Sequence, residues 1–288
     1  MDVKILVCYH KDSTLISNDV YTPIHVGKKN SNVNLPFIGD DTGDNISELN
    51  GLYCELTGLY WGWKNMDADY IGLCHYRRIF CFTSFQDRIA YIKKQSQYLA
   101  YRTSYSLCRA CENVMGYPNS RTIYDSEQFI SISNTFAKDI NCYLQQNPNV
   151  SAFALKPTKI GNLTNFYFFC MAAGREHVNF IKGVVKNYYP HLFPYLDKTL
   201  KSNTLYYANM VIMRKDVLND YCSFLFDVLN KHYEWCLNSG IVSNKEDKAI
   251  ARLMGYMGEF LTSTYISYLK SQNSSNVKLL TMVKYEDR

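Results

Sequence analysis

The apolar and polar positions of the N-terminal third predict a strand, a helix and a second strand. Residues 3–8 form a largely apolar run of strand length that ends abruptly in polar residues. Residues 48–65 carry apolar side chains at helical spacing, and residues 70–74 form a second apolar run, typical of a strand buried on both faces. Because a short helical connection between two strands gives a βαβ unit, this pattern predicts a mostly parallel sheet.

The rest of the chain continues the alternation and predicts an α/β fold with flanking helices and a helical C-terminal part. Apolar runs that predict further strands cover residues 21–27, 150–155, 166–171, 205–213 and 277–283. Helical spacing covers residues 85–116, 123–144, 177–190, 215–236 and 247–269. Gly72 lies inside the central run, where its missing side chain lets another backbone come close. The sequence has no internal repeat and no clean boundary, so we expect one domain.

Composition narrows the class of protein. Of the 288 residues, 47% are hydrophobic and 20% are charged, which is typical of a soluble globular chain. The net charge is +5 with the basic residues spread out, which argues against nucleic acid and is compatible with an anionic nucleotide or membrane surface. No apolar run approaches the roughly 18 residues of a membrane span, so any membrane contact is expected to be peripheral. The ten cysteines, mostly in apolar runs and without a signal peptide, predict reduced thiols and a cytoplasmic location.

Motifs for common cofactors are missing or misplaced. The chain has no GxGxxG and no Walker lysine loop, which argues against a dinucleotide fold and a P-loop enzyme. Asp67 and Asp69 form a DxD pair, a pattern that holds a divalent metal against a nucleotide diphosphate, but they precede the central strand, whereas such a pair should follow one. His177 and His191 lack metal-ligand spacing with a carboxylate and are interpreted as structural. We therefore predict no metal site, and Mn²⁺ or Mg²⁺ is an alternative that is not favoured.

The central strand ends in a cluster of polar side chains, His75, Tyr76, Arg77 and Arg78. Open α/β sheets bind ligands at the carboxyl ends of their strands, and a guanidinium presents a planar fork of donors that matches phosphate or carboxylate. Successive side chains of a strand point to opposite faces, so one arginine is expected to reach a ligand and the other to order a loop or a carboxylate. The alternative is a basic turn on the protein surface.

Three other polar features are candidates for a site. The loop at residues 39–47 contains aspartates that suit a metal, a helix cap or a hydrogen bond to a uracil imide, and Asn45 or Ser47 is expected to cap the following helix. Asn209 interrupts an apolar run, so its amide needs partners if it is buried. Arg252 and Glu259 are seven residues apart and are expected to share one helical face, where they pair or frame a site.

Several motifs together identify a family resemblance. The N-terminal ones are Asp40-Asp-Thr-Gly-Asp-Asn-Ile-Ser47, Tyr53-Cys-Glu-Leu-Thr57 with Tyr60-Trp-Gly-Trp-Lys-Asn65, and Tyr70-Ile-Gly-Leu-Cys-His-Tyr-Arg-Arg78. The C-terminal ones, which are looser, are Asn209-Met-Val-Ile-Met213 and residues 221–229 and 252–259. The chain strongly resembles the bacterial capsular and exopolysaccharide glycosyltransferase family known by its HYRR signature. The resemblance covers nearly the whole chain apart from residues 85–120 and parts of 145–200.

This resemblance implies a GT-A-like, Rossmann-like fold and transfer of a sugar from a UDP-sugar, with UDP-galactofuranose or UDP-galactose as the favoured donor. The implied acceptor is a growing glycan, lipid-linked through a polyprenyl carrier, at the inner face of the cell membrane. The single domain at 1–288 would then comprise a nucleotide-binding half (1–84), a helical excursion (85–125) and an acceptor-side half (126–288). Alternatives are a catalytically silent scaffold of a polysaccharide assembly complex and a nucleotide-binding regulator.

The resemblance also suggests roles for particular side chains. The residues expected to bind the nucleotide sugar are Tyr9, His10, Lys11, Asp44, Asn45, His75, Tyr76, Arg77, Arg78 and Asn209. Fixed positive charge from the arginines would neutralise the diphosphate leaving group in place of a metal. If the transfer inverts, a carboxylate must deprotonate the acceptor hydroxyl, and Glu259 and Asp247 are the candidates. Around Glu259 the sequence Gly-Glu-Phe-Leu replaces the Glu-Arg-Leu run of the family.

Overall fold

The computed structural model describes residues 1–83, 120–159, 163–241 and 251–286. The strands are β1 (Val3–Tyr9), β2 (Tyr21–His25), β3 (Tyr70–His75), β4 (Arg78–Cys81), β5 (Ser120–Ile123), β6 (Ala152–Leu155), β7 (Thr158–Lys159), β8 (Thr204–Leu205), β9 (Val211–Arg214) and β10 (Val277–Tyr285). The helices are α1 (Asn50–Tyr53), α2 (Leu56–Asn65), α3 (Ser126–Gln146), α4 (Asn165–Ala173), α5 (Arg175–Tyr188), α6 (Phe193–Lys201), α7 (Lys215–Asn238) and α8 (Leu253–Gln272). The predicted helical excursion (85–125) lies outside the described residues, except for its end, which contains β5. Asp247 also lies outside the described residues.

The predicted α/β class is confirmed, and the main sheet has eight strands in the described part of the chain. Strand β1 pairs in parallel with β2 and β3, and β10 pairs in parallel with β5 and β6. Strand β9 lies antiparallel between β3 and β6, so these two parallel groups run in the same direction. Strand β4 is antiparallel to both β3 and β10. Six strands therefore run one way and two run the other.

The sheet closes on itself around β3. This strand pairs with β9 at its start and with β4 at its end, and β4, β10, β6 and β9 pair in succession, so five strands form a closed ring. Gly72 permits the close approach of β9, because a Cβ there would lie 2.7 Å from Ile212 Cγ1 and 2.9 Å from the Val211 carbonyl oxygen. The predicted reason for a glycine in the central strand is confirmed.

Helices cover both faces of the sheet, and each face packs against its own hydrophobic core. Alternate side chains of β1 belong to one core or the other. Leu6 belongs to the cluster that contains side chains of α2, α7 and α8, whereas Ile5 and Val7 belong to the cluster that contains side chains of α3. Strand β1 is therefore buried on both faces. The predicted C-terminal helices correspond to α7 and α8. No helix of the described residues has the length and apolar character needed to cross a membrane.

The predicted strand at residues 166–171 is wrong, because this segment lies in helix α4. Phe169 is fully buried and packs against Phe260 of α8 with ring centroids 4.9 Å apart, whereas Tyr167 is exposed. A short apolar run does not distinguish a buried strand from a helix that packs on other helices. The neighbouring helices, and not the local sequence, therefore decide this conformation.

A buried carboxylate, Asp40, joins the loop after β2 to helix α2. Its oxygens accept hydrogen bonds from the backbone amides of Gly27 (2.9 Å) and Lys28 (3.1 Å) and from the hydroxyls of Thr57 (2.6 Å) and Ser47. The Ser47 hydroxyl donates to Asp40 and accepts from the Lys29 amide at 3.1 Å, and not from an amide of the helix that follows it, so the expected Ser47 cap is not observed. Asn45 accepts a hydrogen bond from the Ser47 amide at the start of a short 3-10 turn.

We expect Asp40→Ala to lower the free energy of unfolding by about 3 kcal/mol, because the substitution leaves buried donors without an acceptor. Asp41→Ala is the matched control, since this neighbour is only partly buried. Urea unfolding of both variants at one pH measures the difference. An equal, small loss in the two variants would contradict the role assigned to Asp40.

Candidate active site

A cleft of about 450 Å³ opens at the carboxyl ends of β1 and β3. Its lining comes from the ends of these strands, the residue after β2, the turn between β3 and β4, the segment before α2, the residue that precedes α8, and β10. The charged and titratable groups among the lining residues are Cys8, His10, Cys54, Glu55, His75, Tyr76, Arg77, Arg78, Arg252 and Lys284. The cleft therefore combines several cations with a carboxylate.

Parallel pairing of β1 with β3 brings the predicted nucleotide-binding residues together. Cys8 is in register with His75, so the chain leaves both strands at the same edge of the sheet. The Tyr76 ring lies edge-on to His10 at 5.2 Å, with the Arg77 guanidinium carbon 5.4 Å from its centroid and the Lys11 ammonium 6.0 Å from it. Of the residues predicted from the end of β1, His10 lines the cleft and Lys11 lies beside Tyr76.

Two cations reach the cleft from distant parts of the chain. Lys284 of β10 is in antiparallel register with Arg78, and its ammonium donates a hydrogen bond to Glu286. Arg252 stands just before α8 with φ +69°, and its amide bonds to the Gly51 carbonyl at 2.8 Å. Arg252 and Glu259 were predicted to share a helical face, but Arg252 lies outside the helix, in the left-handed region.

The predicted strand at residues 205–213 is interrupted by a left-handed turn at Ala208 and Asn209, with φ of +67° and +52°. Asn209 is fully buried; its amide nitrogen donates to Glu55 Oε1 at 2.9 Å and to the Gly255 carbonyl at 3.1 Å. Its amide oxygen accepts from Thr262 Oγ1 at 3.1 Å. Asn209 therefore finds the partners that its burial requires, and it reaches the cleft only through Glu55 and not as a direct ligand.

His75 is fixed by the same turn. Its Nε2 lies 2.9 Å from the Ala208 carbonyl oxygen, which can only accept, so Nε2 carries the hydrogen and Nδ1 keeps its lone pair. Burial lowers the pKa of His75, and the charge of Arg78 lowers it further, whereas Glu55 opposes this shift. His75 is thus a neutral hydrogen-bonding group at neutral pH.

Glu259 is the most perturbed carboxyl group of the site. Burial first, and then the negative charge of Glu55, raise the pKa of Glu259 from its ordinary value of 4.5 to about 8. The charges of Arg78 and Arg252 and a hydrogen bond from the Ala208 backbone act in the opposite direction. Glu259 therefore retains a proton at neutral pH beside Glu55, as expected for two carboxyl groups in one buried cluster.

Two cysteines, Cys8 and Cys54, line the cleft, and burial raises the pKa of the Cys8 thiol well above its ordinary value. Burial raises the pKa of the Cys54 thiol to about 12, although a hydrogen bond and the charge from Arg252 oppose the shift. A thiol is a nucleophile only as its thiolate. The cleft is therefore suited to binding an anion and to acid–base chemistry, and not to attack by a cysteine.

The structure places three predicted nucleotide ligands away from the cleft. Tyr9 is 1% exposed, and its hydroxyl bonds to the Thr14 carbonyl (2.9 Å) and the Ile16 amide (2.8 Å), so it holds a loop. The loop that contains Asp44 and Asn45 packs against the end of α2. There the side chain of Asn65, the last residue of α2, forms hydrogen bonds with the backbone amide and carbonyl of Asp44.

The DxD pair also lies away from the cleft. Asp67 forms an ion pair with Lys215 at 2.5 Å, and Asp69 accepts a hydrogen bond from the Asp2 amide at 2.8 Å. Both residues precede the amino end of β3, whereas the cleft is at its carboxyl end. The predicted position of this pair before the central strand is confirmed.

Sequence reasoning missed Glu55 and Lys284 as members of the site. Glu55 lies in the motif Tyr53–Thr57, directly before the strongly apolar helix α2. A charged residue at this position was the sequence feature that could have indicated its role. Lys284 carried no local signal, since only its pairing across β10 brings it to Arg78. The position of Asp247 lies outside the described residues.

Known proteins provide three further findings. The apo structure of the WbbM bifunctional glycosyltransferase is similar to this chain with a TM-score of 0.77 and 27% sequence identity. The similarity covers 100% of this chain and 46% of that protein, so this chain spans less than half of WbbM. No curated protein matches the chain. The family model described as a domain of unknown function, DUF4422, matches residues 4–272. The chain therefore belongs to the DUF4422 family.

Proposed function

We propose that this protein is a glycosyltransferase with a GT-A-like scaffold that transfers a sugar from a UDP-sugar. The observation that carries the proposal is the cleft at the carboxyl ends of β1 and β3, where several cations lie near the carboxyl groups of Glu55 and Glu259. Similarity of the whole chain to part of a bifunctional glycosyltransferase supports this class of reaction. The resemblance to the HYRR family favours galactofuranose or galactose as the sugar and a lipid-linked glycan at the inner membrane face as the acceptor.

The diphosphate of the donor is assigned to the arginines of the cleft. As the bond to the sugar breaks, negative charge develops on the departing nucleoside diphosphate. Arg77, Arg78 and Arg252 line the cleft and carry permanent positive charge. Cations already in place stabilise this developing charge without reorganisation of solvent. We therefore propose that the reaction does not require Mn²⁺ or Mg²⁺.

The nucleoside is assigned to the end of β1 and to the turn after β3. Tyr76 offers a ring face and a hydroxyl, and His10 and Lys11 lie against the same ring. The side chains of Tyr9, Asp44 and Asn45 form hydrogen bonds within the protein. We therefore assign the uridine to Tyr76, His10 and Lys11. Substrates of this size are usually held by a few such groups in a concave site.

The carboxyl groups are assigned to proton transfer. An inverting reaction needs a carboxylate that takes the proton of the acceptor hydroxyl. Glu55 lines the cleft and is oriented by Asn209, whereas the pKa of Glu259, raised to about 8 by burial first and then by Glu55, leaves Glu259 protonated at neutral pH. We propose Glu55 as the base, with neutral Glu259 keeping the negative charge on Glu55. The candidacy of Asp247 remains a prediction.

UDP is expected to raise the melting temperature by a few degrees without added metal, since a ligand at a hundred times its Kd stabilises the native state by about 2.7 kcal/mol. Arg78→Ala should remove most of this shift, whereas Arg121→Ala, at an exposed position on β5, should preserve it. Thermal unfolding with UDP, GDP and CMP measures both effects. A shift that appears only with Mn²⁺, or that persists in Arg78→Ala, would contradict the assigned role of the arginines.

Glu55→Gln is expected to lower turnover about 10²–10⁴-fold, because the amide keeps the shape and the acceptor oxygen for Asn209 but cannot take a proton. Release of UDP from UDP-galactose and UDP-galactofuranose, with and without a glycan acceptor, measures the rate. Glu127→Gln, on the exposed first turn of α3, is the control. Full turnover in Glu55→Gln would refute the proposed base, and wild-type protein that neither binds UDP nor turns over a donor would favour the scaffold alternative.

The raised pKa of Glu259, caused by burial first and Glu55 second, predicts a dependence of stability on pH. The folded protein holds this proton to about pH 8 and the unfolded chain only to about pH 4.5, so the group contributes stability that is complete below pH 4.5 and is lost as pH rises through 8. The free energy of unfolding of wild type minus that of Glu259→Gln should therefore decrease as the pH rises from about 4.5 to about 8. Urea titrations at several pH values test it; a difference that does not change with pH would exclude the shifted pKa.

A further inference from the structure

A second cluster of chemically reactive side chains lies between helices α5 and α7. His177 of α5 and His232 and Cys236 of α7 are 3%, 0% and 0% exposed. None of them lines the cleft, and the proposed reaction uses none of them. In the described part of the chain, no other group of three histidine, cysteine or acidic side chains has ligand atoms this close together.

The geometry of this cluster matches the ligand shell of a tetrahedral metal. His177 Nδ1 lies 2.9 Å from His232 Nε2 and 3.8 Å from Cys236 Sγ, and all three ligand atoms lie within 4.8 Å of one another. Bonds of about 2.0 Å to nitrogen and 2.3 Å to sulfur at tetrahedral angles place such atoms roughly 3.3–3.6 Å apart. Small rotations of the side chains would therefore bring all three ligand atoms within bonding distance of one ion.

Two histidines and a cysteine at this spacing are also the preferred donors for zinc. His232 and Cys236 are four residues apart on one helix and so share a face, and His177 approaches from the neighbouring helix. On the opposite side of its ring, His177 Nε2 lies 3.9 Å from a carboxylate oxygen of Glu176. Metal-bound histidines commonly donate their second ring N–H to such a carboxylate.

The hydrogen bonds inside the cluster are few. The two imidazoles share one hydrogen bond, and His232 Nδ1, on the side of the ring away from His177, has no partner among the described residues although it is fully buried. Zinc binds a thiolate and neutral imidazoles, so metal binding would replace the hydrogen bond between the rings and release the proton of the Cys236 thiol.

We propose that His177 Nδ1, His232 Nε2 and Cys236 Sγ bind one zinc ion, with water as the fourth ligand. The ion links α5 to α7 through residues 55 positions apart in the chain. The rings of Phe180 and Trp235 pack on the cluster, with His232 stacked on Trp235 at 5.8 Å, and form an apolar surround. The site links two helices of the core and lies outside the cleft.

The test is metal analysis of the full chain. Protein equilibrated with zinc and passed through a desalting column is expected to retain one zinc per chain by elemental analysis. Cys236→Ser should lower zinc retention at least about tenfold, whereas Cys222→Ser should retain it. Cys222 is the matched control, since it is a fully buried cysteine on the same helix.

Cobalt gives a second readout that identifies the sulfur ligand. Replacement of zinc by Co²⁺ should produce a thiolate-to-cobalt charge-transfer band in wild type and in Cys222→Ser, and no such band in Cys236→Ser. Zinc retention far below one per chain in wild type overturns the proposal, even if a variant fails to fold. Equal retention or an equal cobalt band in Cys236→Ser also overturns it.

Discussion

The left-handed turn at Ala208 and Asn209 is the constraint on which the cleft depends. Each of these non-glycine residues has a positive φ, which costs on the order of 1 kcal/mol. Hydrogen bonds that use the turn offset this cost: the Ala208 carbonyl fixes His75, and the Asn209 amide fixes Glu55 and the first turn of α8 at Gly255. One strained turn thereby orients an imidazole from β3 and a carboxylate from the segment before α2 toward the same cleft.

The charges of the cleft are coupled because they are partly withdrawn from water. Arg78 and Arg252 lower the pKa of Glu259 while burial and Glu55 raise it, so no single charge can change without affecting the others. Negative charge brought by a nucleoside diphosphate would neutralise the arginines and favour a protonated carboxyl group. A bound nucleoside diphosphate would therefore help to keep Glu259 protonated in the proposed reaction.

Local patterns were sufficient for much of the fold. The apolar runs of β1 and β3, the helical spacing before β3 and the glycine at position 72 each report the environment of adjacent residues, and the structure confirms them. Segment 166–171 was misassigned because its environment is made by other helices, and the run at 205–213 because a turn held by α8 divides it. Asp40 gathers its donors from three segments, so its role was not visible in the loop sequence.

By itself the sequence determined the class of fold and the cluster from His75 to Arg78, because apolar periodicity sets the strands and parallel strands end at one edge of a sheet. Only the tertiary structure decided that Glu55 belongs to this site and that Asp44 lies elsewhere. It also joined His177 to His232 across 55 residues, whereas in the sequence His177 was compared only with His191 and both were predicted to be structural. The physical reason is that periodicity reports which face of an element is buried, whereas contacts between distant residues follow from strand register and helix packing.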